Sequence, residues 1–254
     1  MKKLILFLFI GLFAIPAIAA DFKSGDELVA AMHKKYDGKW YKTLTFVQKT
    51  INYKPDGTEE ADIWYEAFSG PGKLRIDFDP VSGGNGILFA DATLYSLKDG
   101  KVAGKRPFVH PLLVLGFDVY VQDVAKTIEQ IKGLKIDLSV IHQEIWQGKA
   151  VYVVGAKEGD LKTPQFWVDK RNLLFVRMLD LTGKDRKSVA ETQFNKYVKV
   201  KGGGRVAAEV KFFVDGKPRT TEVYSDIQTG KPLNADLWDP EKWNSVDKTY
   251  FKLK

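Results

Sequence analysis

Between residues 43 and 228 the sequence reads as a long run of β-strands joined by tight turns, and many of these strands are apolar on both faces. A strand that only covers a core is apolar on one face and polar on the other. Strands that are apolar on both faces must be covered on both sides. We therefore expect one sheet that curls around an apolar interior, which favours binding of a hydrophobic ligand over chemistry on a polar one.

Turn residues divide this run into strands. Lys54-Pro55-Asp56-Gly57 has proline at its second position and glycine at its last, which is typical of a β-turn. Asp99-Gly100 and Asp215-Gly216 are dipeptides of two-residue hairpin turns. We therefore predict antiparallel strands that follow one another through short connections.

The segment from residue 73 to residue 79 alternates cleanly between two kinds of side chain. Its apolar residues Leu74, Ile76 and Phe78 share one face, because successive side chains of a strand point to opposite faces. The other face carries only charged residues, and we predict that it contacts water: Lys73, Arg75, Asp77 and Asp79.

Two segments predict helices. Leu28, Val29, Met32 and Tyr36 recur at helical spacing after a Ser24 or Asp26 cap. The strongest helical pattern is a stripe of apolar residues opposite charged ones, formed by Val121, Val124, Ala125, Ile128 and Ile131.

Residues 107–117, between the strands and this second helix, are mostly apolar. Two prolines, Pro107 and Pro111, exclude a long helix through them. The segment is either buried core or a cover over the open side of the curled sheet, since an exposed apolar surface of this size would favour aggregation.

The first residues have the pattern of a signal peptide. Lys2 and Lys3 precede an apolar stretch, and Ala17-Ile18-Ala19 is a cleavage pattern. We expect residues 1–19 to be removed on export, leaving residues 20–254 as a single domain. Because there is no cysteine in the chain, its stability must come from an apolar core rather than from disulfides.

Residues for catalysis are hard to find in this sequence. The three histidines lie far apart, without the spacing of metal ligands. Asp77 and Asp79 would lie about 7 Å apart on one strand, but they share their face with Lys73 and Arg75, which favours a solvated surface. The net charge of +7 is spread along the chain and indicates no nucleic-acid site. We predict that the protein is not an enzyme and uses no cofactor or metal.

Several short motifs follow one another along the chain. Phe46-Val47-Gln48 comes first, then Pro71-Gly72-Lys73-Leu74-Arg75, then Ile87-Leu88-Phe89-Ala90-Asp91, and finally Leu237-Trp238-Asp239-Pro240. In this order, behind a signal peptide and a first helix, they resemble the periplasmic outer-membrane lipoprotein carrier family, which has the LolA/LolB-like fold. The resemblance extends over most of the chain after residue 20.

The resemblance implies an α+β fold, mostly β, in which a strongly curved antiparallel sheet of about 10–11 strands forms a half-barrel with helices covering its concave side. It implies a hydrophobic cavity for acyl chains of lipids or lipoproteins, with an inner-membrane exporter and an outer-membrane acceptor as partners. We expect a monomer. The residues expected to line the cavity or its cover are Trp64, Leu74, Ile76, Phe78, Phe108, Leu112, Leu113, Leu115, Phe117, Val124 and Ile128.

Three functions remain open at this point. The first is a periplasmic carrier that transports acylated cargo towards the outer membrane. The second is a regulatory module on the same fold that senses lipid or envelope protein and signals to a membrane partner. The third is an enzyme that uses a pair of carboxylates.

Overall fold

A computed structural model describes residues 22–249, so the predicted signal peptide lies outside the described residues. Thirteen antiparallel strands form one sheet. Their bounds are β1 (Thr43–Tyr53), β2 (Glu59–Ser69), β3 (Lys73–Phe78), β4 (Gly86–Ala90), β5 (Thr93–Lys98), β6 (Lys101–Pro107), β7 (Ile141–Trp146), β8 (Lys149–Val154), β9 (Gln165–Asp169), β10 (Leu174–Thr182), β11 (Ser188–Lys199), β12 (Arg205–Val214) and β13 (Lys217–Thr229).

The first and last strands along the chain lie side by side near the centre of the sheet. The first strand, β1, pairs with the last, β13, and each meander continues outward to an edge, at β6 on one side and β7 on the other. The sheet is not closed between these two edges over residues 22–249. Because β6 and β7 are consecutive in the chain, residues 108–140 cross from one edge of the curved sheet to the other.

Hairpin turns fix the register of neighbouring strands. The predicted turns Asp99-Gly100 and Asp215-Gly216 both have positive φ at their two central residues, 50° and 75° in the first and 49° and 74° in the second. This conformation suits the twist of the adjoining strands, and aspartate and glycine adopt it readily. The sequence prediction of these turns is therefore confirmed.

Three α-helices of the described residues accompany the sheet, at α1 (Gly25–Tyr36), α2 (Pro111–Gly116) and α3 (Val124–Gly133). The Ser24 side chain caps α1 by accepting from the Glu27 N–H, and Asp123 caps α3 in the same way. The apolar segment, through which two prolines were expected to exclude a long helix, forms the short α2. Its Pro111 stands at the first helical position, where the missing N–H removes no helical hydrogen bond.

The main core fills the concave side of the sheet. Leu28, Val29 and Met32 of α1 are completely buried in it, and each such side chain contributes roughly 1.5–3 kcal/mol by leaving water. The ring of Tyr120, from a short 3-10 turn after α2, stacks on Trp40 with centroids 3.9 Å apart. These contacts join α1 to the segment that crosses between the sheet edges.

The convex side has apolar covers of its own. Residues 233–249 run across it in two 3-10 turns, and Trp243, completely buried, packs with Leu88, Ala90 and Leu97. A second cluster, around Val151, Val153, Trp167 and Val176, is shielded by Trp146 on the other half of the sheet.

Under the C-terminal residues, one sequence prediction is wrong. Arg75 and Asp77 do not contact water: both are 0% exposed. The reason is tertiary, because Trp243 lies against the Arg75 guanidinium, 3.6 Å from its ring centroid, and Lys248 lies 3.1 Å from the Asp77 carboxylate.

The predicted fold class is confirmed: a mostly β, open and curved antiparallel sheet with helices on its concave side. Over residues 22–249 the sheet has thirteen strands rather than about ten or eleven. The sequence of β6 carries little strand pattern of its own, because its residues are mostly exposed and lack apolar alternation. Within the described part of the chain, no helix is both long and apolar enough to cross a membrane.

Candidate functional site

An apolar cavity of about 150 Å³, the inner cavity, lies between the concave face of the sheet and α2. Six neighbouring strands around the centre of the sheet supply most of its wall, and α2 with its flanking residues supplies the cover. Its lining residues are Phe46, Gln48, Trp64, Glu66, Leu74, Ile76, His110, Leu112, Leu113, Phe117, Phe194, Val210, Phe212, Glu222 and Tyr224.

Six of the residues expected at a cavity lie together in this lining. Three come from the sheet and three from the cover: Trp64, Leu74, Ile76, Leu112, Leu113 and Phe117. Alternation along the strand explains Leu74 and Ile76, which share the concave face of β3.

The other five lie elsewhere. Leu115 is completely buried in the core behind α2. Phe78 packs against Trp64, with ring centroids 4.9 Å apart, and does not line the cavity. Val124 and Ile128 of α3 pack on the main core, and Phe108 borders a separate pocket at the edge of the cover.

Five polar lining residues were not among those expected from the sequence: Gln48, Glu66, His110, Glu222 and Tyr224. The sequence pattern could have indicated that Glu66 lines the cavity. It lies on β2 between Trp64 and Phe68, two residues from each, and therefore on the same apolar face. A charged residue in the middle of an apolar face is unusual, because burying it costs free energy unless it is paired.

Of the two glutamates, Glu66 is the more deeply buried, at 4% exposed. Burial raises the pKa of its carboxyl well above the usual 4.5, and the nearby charge of Glu222 raises it further. No other group of residues 22–249 hydrogen-bonds to this carboxyl. The Glu66 carboxyl therefore lies in an apolar wall without a hydrogen-bond partner, where burial favours its protonated form.

Glu222 is half-buried on the same wall, and burial raises the pKa of its carboxyl to about 7. The Tyr224 hydroxyl donates to it at 2.8 Å, and Gln48 also donates to it, which partly offsets the cost of burial. Glu222 therefore changes its charge near neutral pH, a few ångströms from apolar side chains.

The cover is held in place by polar contacts at the ends of α2. The His110 Nδ1 accepts from the Leu112 N–H at the start of the helix, and burial lowers the pKa of this imidazole to about 4. After the helix, Asp118 accepts from the Gly72 N–H at 3.0 Å, and burial raises the pKa of its carboxyl to about 7. Asp118 thus ties the cover to the β2–β3 turn.

A second pocket of about 180 Å³, the mouth pocket, adjoins the inner cavity, since His110 and Leu113 line both. Its outer wall carries the polar residues Gln122, Lys126 and Gln130. Pockets for drug-sized ligands are usually 300–1,000 Å³. The inner cavity is smaller, so a long acyl chain would fit only if the cover shifted or the chain extended through the mouth pocket.

Asp77 and Asp79, the two carboxylates considered as a catalytic pair, have different surroundings. Asp77 lies on the convex face, where both of its oxygens bind Arg75, while Asp79 is exposed. No group of three or more metal-binding side chains comes together within residues 22–249.

The buried acids predict how stability depends on pH. A carboxyl whose pKa is raised on folding keeps its proton where the unfolded chain has lost it, so its contribution is present at low pH and is lost as pH rises through the folded-state pKa. Glu66, Glu222 and Asp118 act in this direction, and His110 opposes them below about pH 6.5. We expect the free energy of unfolding to increase from pH 7 to pH 5, by up to about 1.4 kcal/mol per pH unit for each acid.

Urea unfolding at several pH values measures this dependence. Glu66→Gln should flatten it, while Glu60→Gln, an exposed change on the same strand, should leave it intact. Stability that falls on acidification over this range in the unaltered protein would contradict the expectation.

Comparison with solved structures identifies the class of fold. A DUF1329 family protein from Desulfovibrio piger is 14% identical with a TM-score of 0.55, over 85% of this chain and 95% of that one. A domain described as an outer membrane lipoprotein-sorting protein, from Vibrio parahaemolyticus, is 12% identical with a TM-score of 0.54, over 87% and 98%. A LolA superfamily protein from Nitrosomonas europaea is 13% identical with a TM-score of 0.51, over 88% and 99%.

These similarities show that the chain has a LolA-like fold. They extend over nearly the whole of each neighbour, so the fold is shared rather than a fragment of it. No family model matches the sequence, and no curated protein does. At these identities the likeness defines the fold and leaves the ligand to be argued from the cavity.

Proposed function

We propose that this protein is a periplasmic carrier that binds acyl chains of lipids or lipoproteins in its inner cavity and moves them towards the outer membrane. Residues 20–254 form one ligand-binding domain in this proposal, and residues 1–19 direct its export. The protein binds and releases cargo without changing it chemically.

The observation that carries this proposal is the apolar cavity on the concave side of a LolA-like sheet, under a short apolar helix. Burial of an acyl chain there gains ~0.8 kcal/mol for each CH₂ removed from water. The fold supports the same function, since one structural neighbour is described as sorting outer membrane lipoproteins. Acyl binding needs no catalytic residues, which agrees with a wall made mainly of aromatic and aliphatic side chains.

Binding of an uncharged fluorescent monoacylglycerol tests the cavity. We expect Leu112→Asn and Phe212→Asn to weaken its binding by about tenfold, because each replaces an apolar lining side chain with a polar one. A fluorescence titration gives the dissociation constants, and mass spectrometry of lipids that co-purify with the mature protein identifies the natural cargo.

Phe213→Asn is the matched control for Phe212→Asn. Both phenylalanines are half-buried neighbours on β12, but alternation places Phe213 on the convex face. We expect this control to leave the affinity within about twofold. Equal losses in the two variants, or no binding by the unaltered protein, would argue against the cavity. A protein that keeps its lipid and instead forms a stable complex with a membrane protein would be a sensor rather than a carrier.

A further inference from the structure

The inner cavity has an unusual charge composition for an acyl-chain site. Among its fifteen lining residues are two glutamates, and none is a lysine or an arginine. The one histidine, His110, is neutral at pH 7 because burial lowers its pKa to about 4. A ligand group in this cavity therefore meets acidic side chains and no compensating cation.

Glu66 limits which ligands the cavity wall can bind favourably. It is 4% exposed, lines the cavity, and has no hydrogen-bond partner within residues 22–249. A plain hydrocarbon would leave its carboxyl unsatisfied, at a cost of about 1–3 kcal/mol. A ligand that donates hydrogen bonds to this carboxyl removes that cost.

The other face of the sheet provides an internal comparison. There the buried carboxylate of Asp77 is fully matched, with both oxygens bonded to Arg75 and a further contact to Lys248. Residues 22–249 thus supply cations to the buried acid on the convex face and none to the two acids of the cavity. A cation that pairs with either acid of the cavity would therefore have to come with the ligand.

Aromatic rings strengthen the case for a cation. Six of the lining residues are aromatic: Phe46, Trp64, Phe117, Phe194, Phe212 and Tyr224. The ring of Tyr224 lies 4.3 Å from that of Phe46, centroid to centroid, beside Glu222. Aromatic faces attract ammonium groups, and the attraction is larger where water is excluded.

We propose that the inner cavity recognises an amphiphile whose polar group is an ammonium, which binds between the Glu66 and Glu222 carboxyl groups with its hydrocarbon against the aromatic wall. This inference rests on the proposed function, because it names the chemical class of the cargo for the same cavity. On binding, the Glu222 carboxyl, whose pKa lies at about 7, gives any proton it holds to the buffer, while the ammonium keeps its own and pairs with the carboxylate that remains.

Three single-chain amphiphiles that differ only in their polar group test this proposal: dodecylamine, dodecanol and dodecanoate. Each competes with the uncharged monoacylglycerol probe at pH 7, below its micelle concentration. We expect dodecylamine to bind at least about tenfold more tightly than dodecanol, and dodecanoate more weakly than both. Calorimetry in buffers of different ionisation enthalpy should show proton release with dodecylamine and none with dodecanol.

Variants locate the effect. Glu66→Gln and Glu222→Gln, tested separately, should each reduce the preference for dodecylamine over dodecanol by about tenfold or more while dodecanol binding is retained. Glutamine nearly matches the shape of a protonated glutamate, so either protein should fold. The control is Glu60→Gln, an exposed residue of the same strand with the same change in charge, which should keep the preference.

The outcomes separate this inference from the proposed function. Equal binding of dodecylamine and dodecanol, or a preference that both cavity variants keep, would overturn the ammonium site while leaving the acyl carrier intact. Failure of the monoacylglycerol and all three amphiphiles to bind would overturn both.

Discussion

Replacing Asp77 with leucine is expected to lower the free energy of unfolding by about 3–5 kcal/mol. The change leaves the Arg75 guanidinium buried without an anion, since Arg75 is 0% exposed and the Asp77 carboxylate accepts from its Nε and Nη2 at 2.7 and 2.9 Å. Its other acceptor, the Trp243 carbonyl oxygen at 2.8 Å, carries no net charge. Urea unfolding followed by circular dichroism measures the loss.

The double variant Arg75→Leu with Asp77→Leu tests whether the lost stability comes from an unpaired buried charge or from the altered side chains at these two positions. Removing both charges together should restore most of the lost stability, because replacing a whole buried ion pair with apolar side chains is often close to neutral. Asp62→Leu, an exposed acid on the neighbouring strand, controls for the loss of a carboxylate and should change stability by less than about 1 kcal/mol. Equal effects of Asp77→Leu and Asp62→Leu would show that the buried pair does not matter.

Trp243→Ala is the second substitution for which we expect a large effect: it should lower the free energy of unfolding by about 3–5 kcal/mol. Trp243 is completely buried against Leu88, Ala90 and Leu97, and its ring covers the Arg75 guanidinium. The alanine variant removes this ring, so it opens a cavity and exposes the ion pair beneath. Thermal unfolding measures the shift, and faster proteolysis of the C-terminal residues should accompany it.

Trp243→Phe is the conservative comparison. It keeps an aromatic ring over Arg75, so it should lose less than half as much stability as the alanine variant. Both variants should bind the monoacylglycerol probe as the unaltered protein does, since Trp243 lies on the convex face and the inner cavity on the concave one. A large loss of binding with little loss of stability would contradict this separation of the two faces.

Local sequence rules predicted most of the fold, because they act within a few residues. The two hairpin turns depend on residues that tolerate positive φ, and the capped start of α1 depends on Ser24. Alternation placed Leu74 and Ile76 on one face of β3, the face that lines the inner cavity. The short α2 was missed because Pro111 interrupts a long helix but is compatible with the first position of a short one.

Less of the candidate site than of the fold could be predicted from the sequence. The apolar residues of the wall follow from strand patterns, but Glu66 and Glu222 lie on different strands, separated by β1 in the sheet. Only the pairing of the first strand with the last brings these two acids to one cavity. The raised pKa of both carboxyls comes from that shared burial, which no single strand reveals.

The sequence by itself determined that this chain forms a curved sheet with apolar side chains on both faces, since alternation and turn residues are local properties. The tertiary structure decided what covers each face. The concave face meets α1, α2 and the inner cavity, whereas the convex face of β3 meets Trp243 and Lys248, which lie more than 160 residues further along the chain. From the sequence alone, a charged strand face is predicted to contact water. Here a distant segment excludes water from it, so only the folded chain could show that Arg75 and Asp77 form a buried pair.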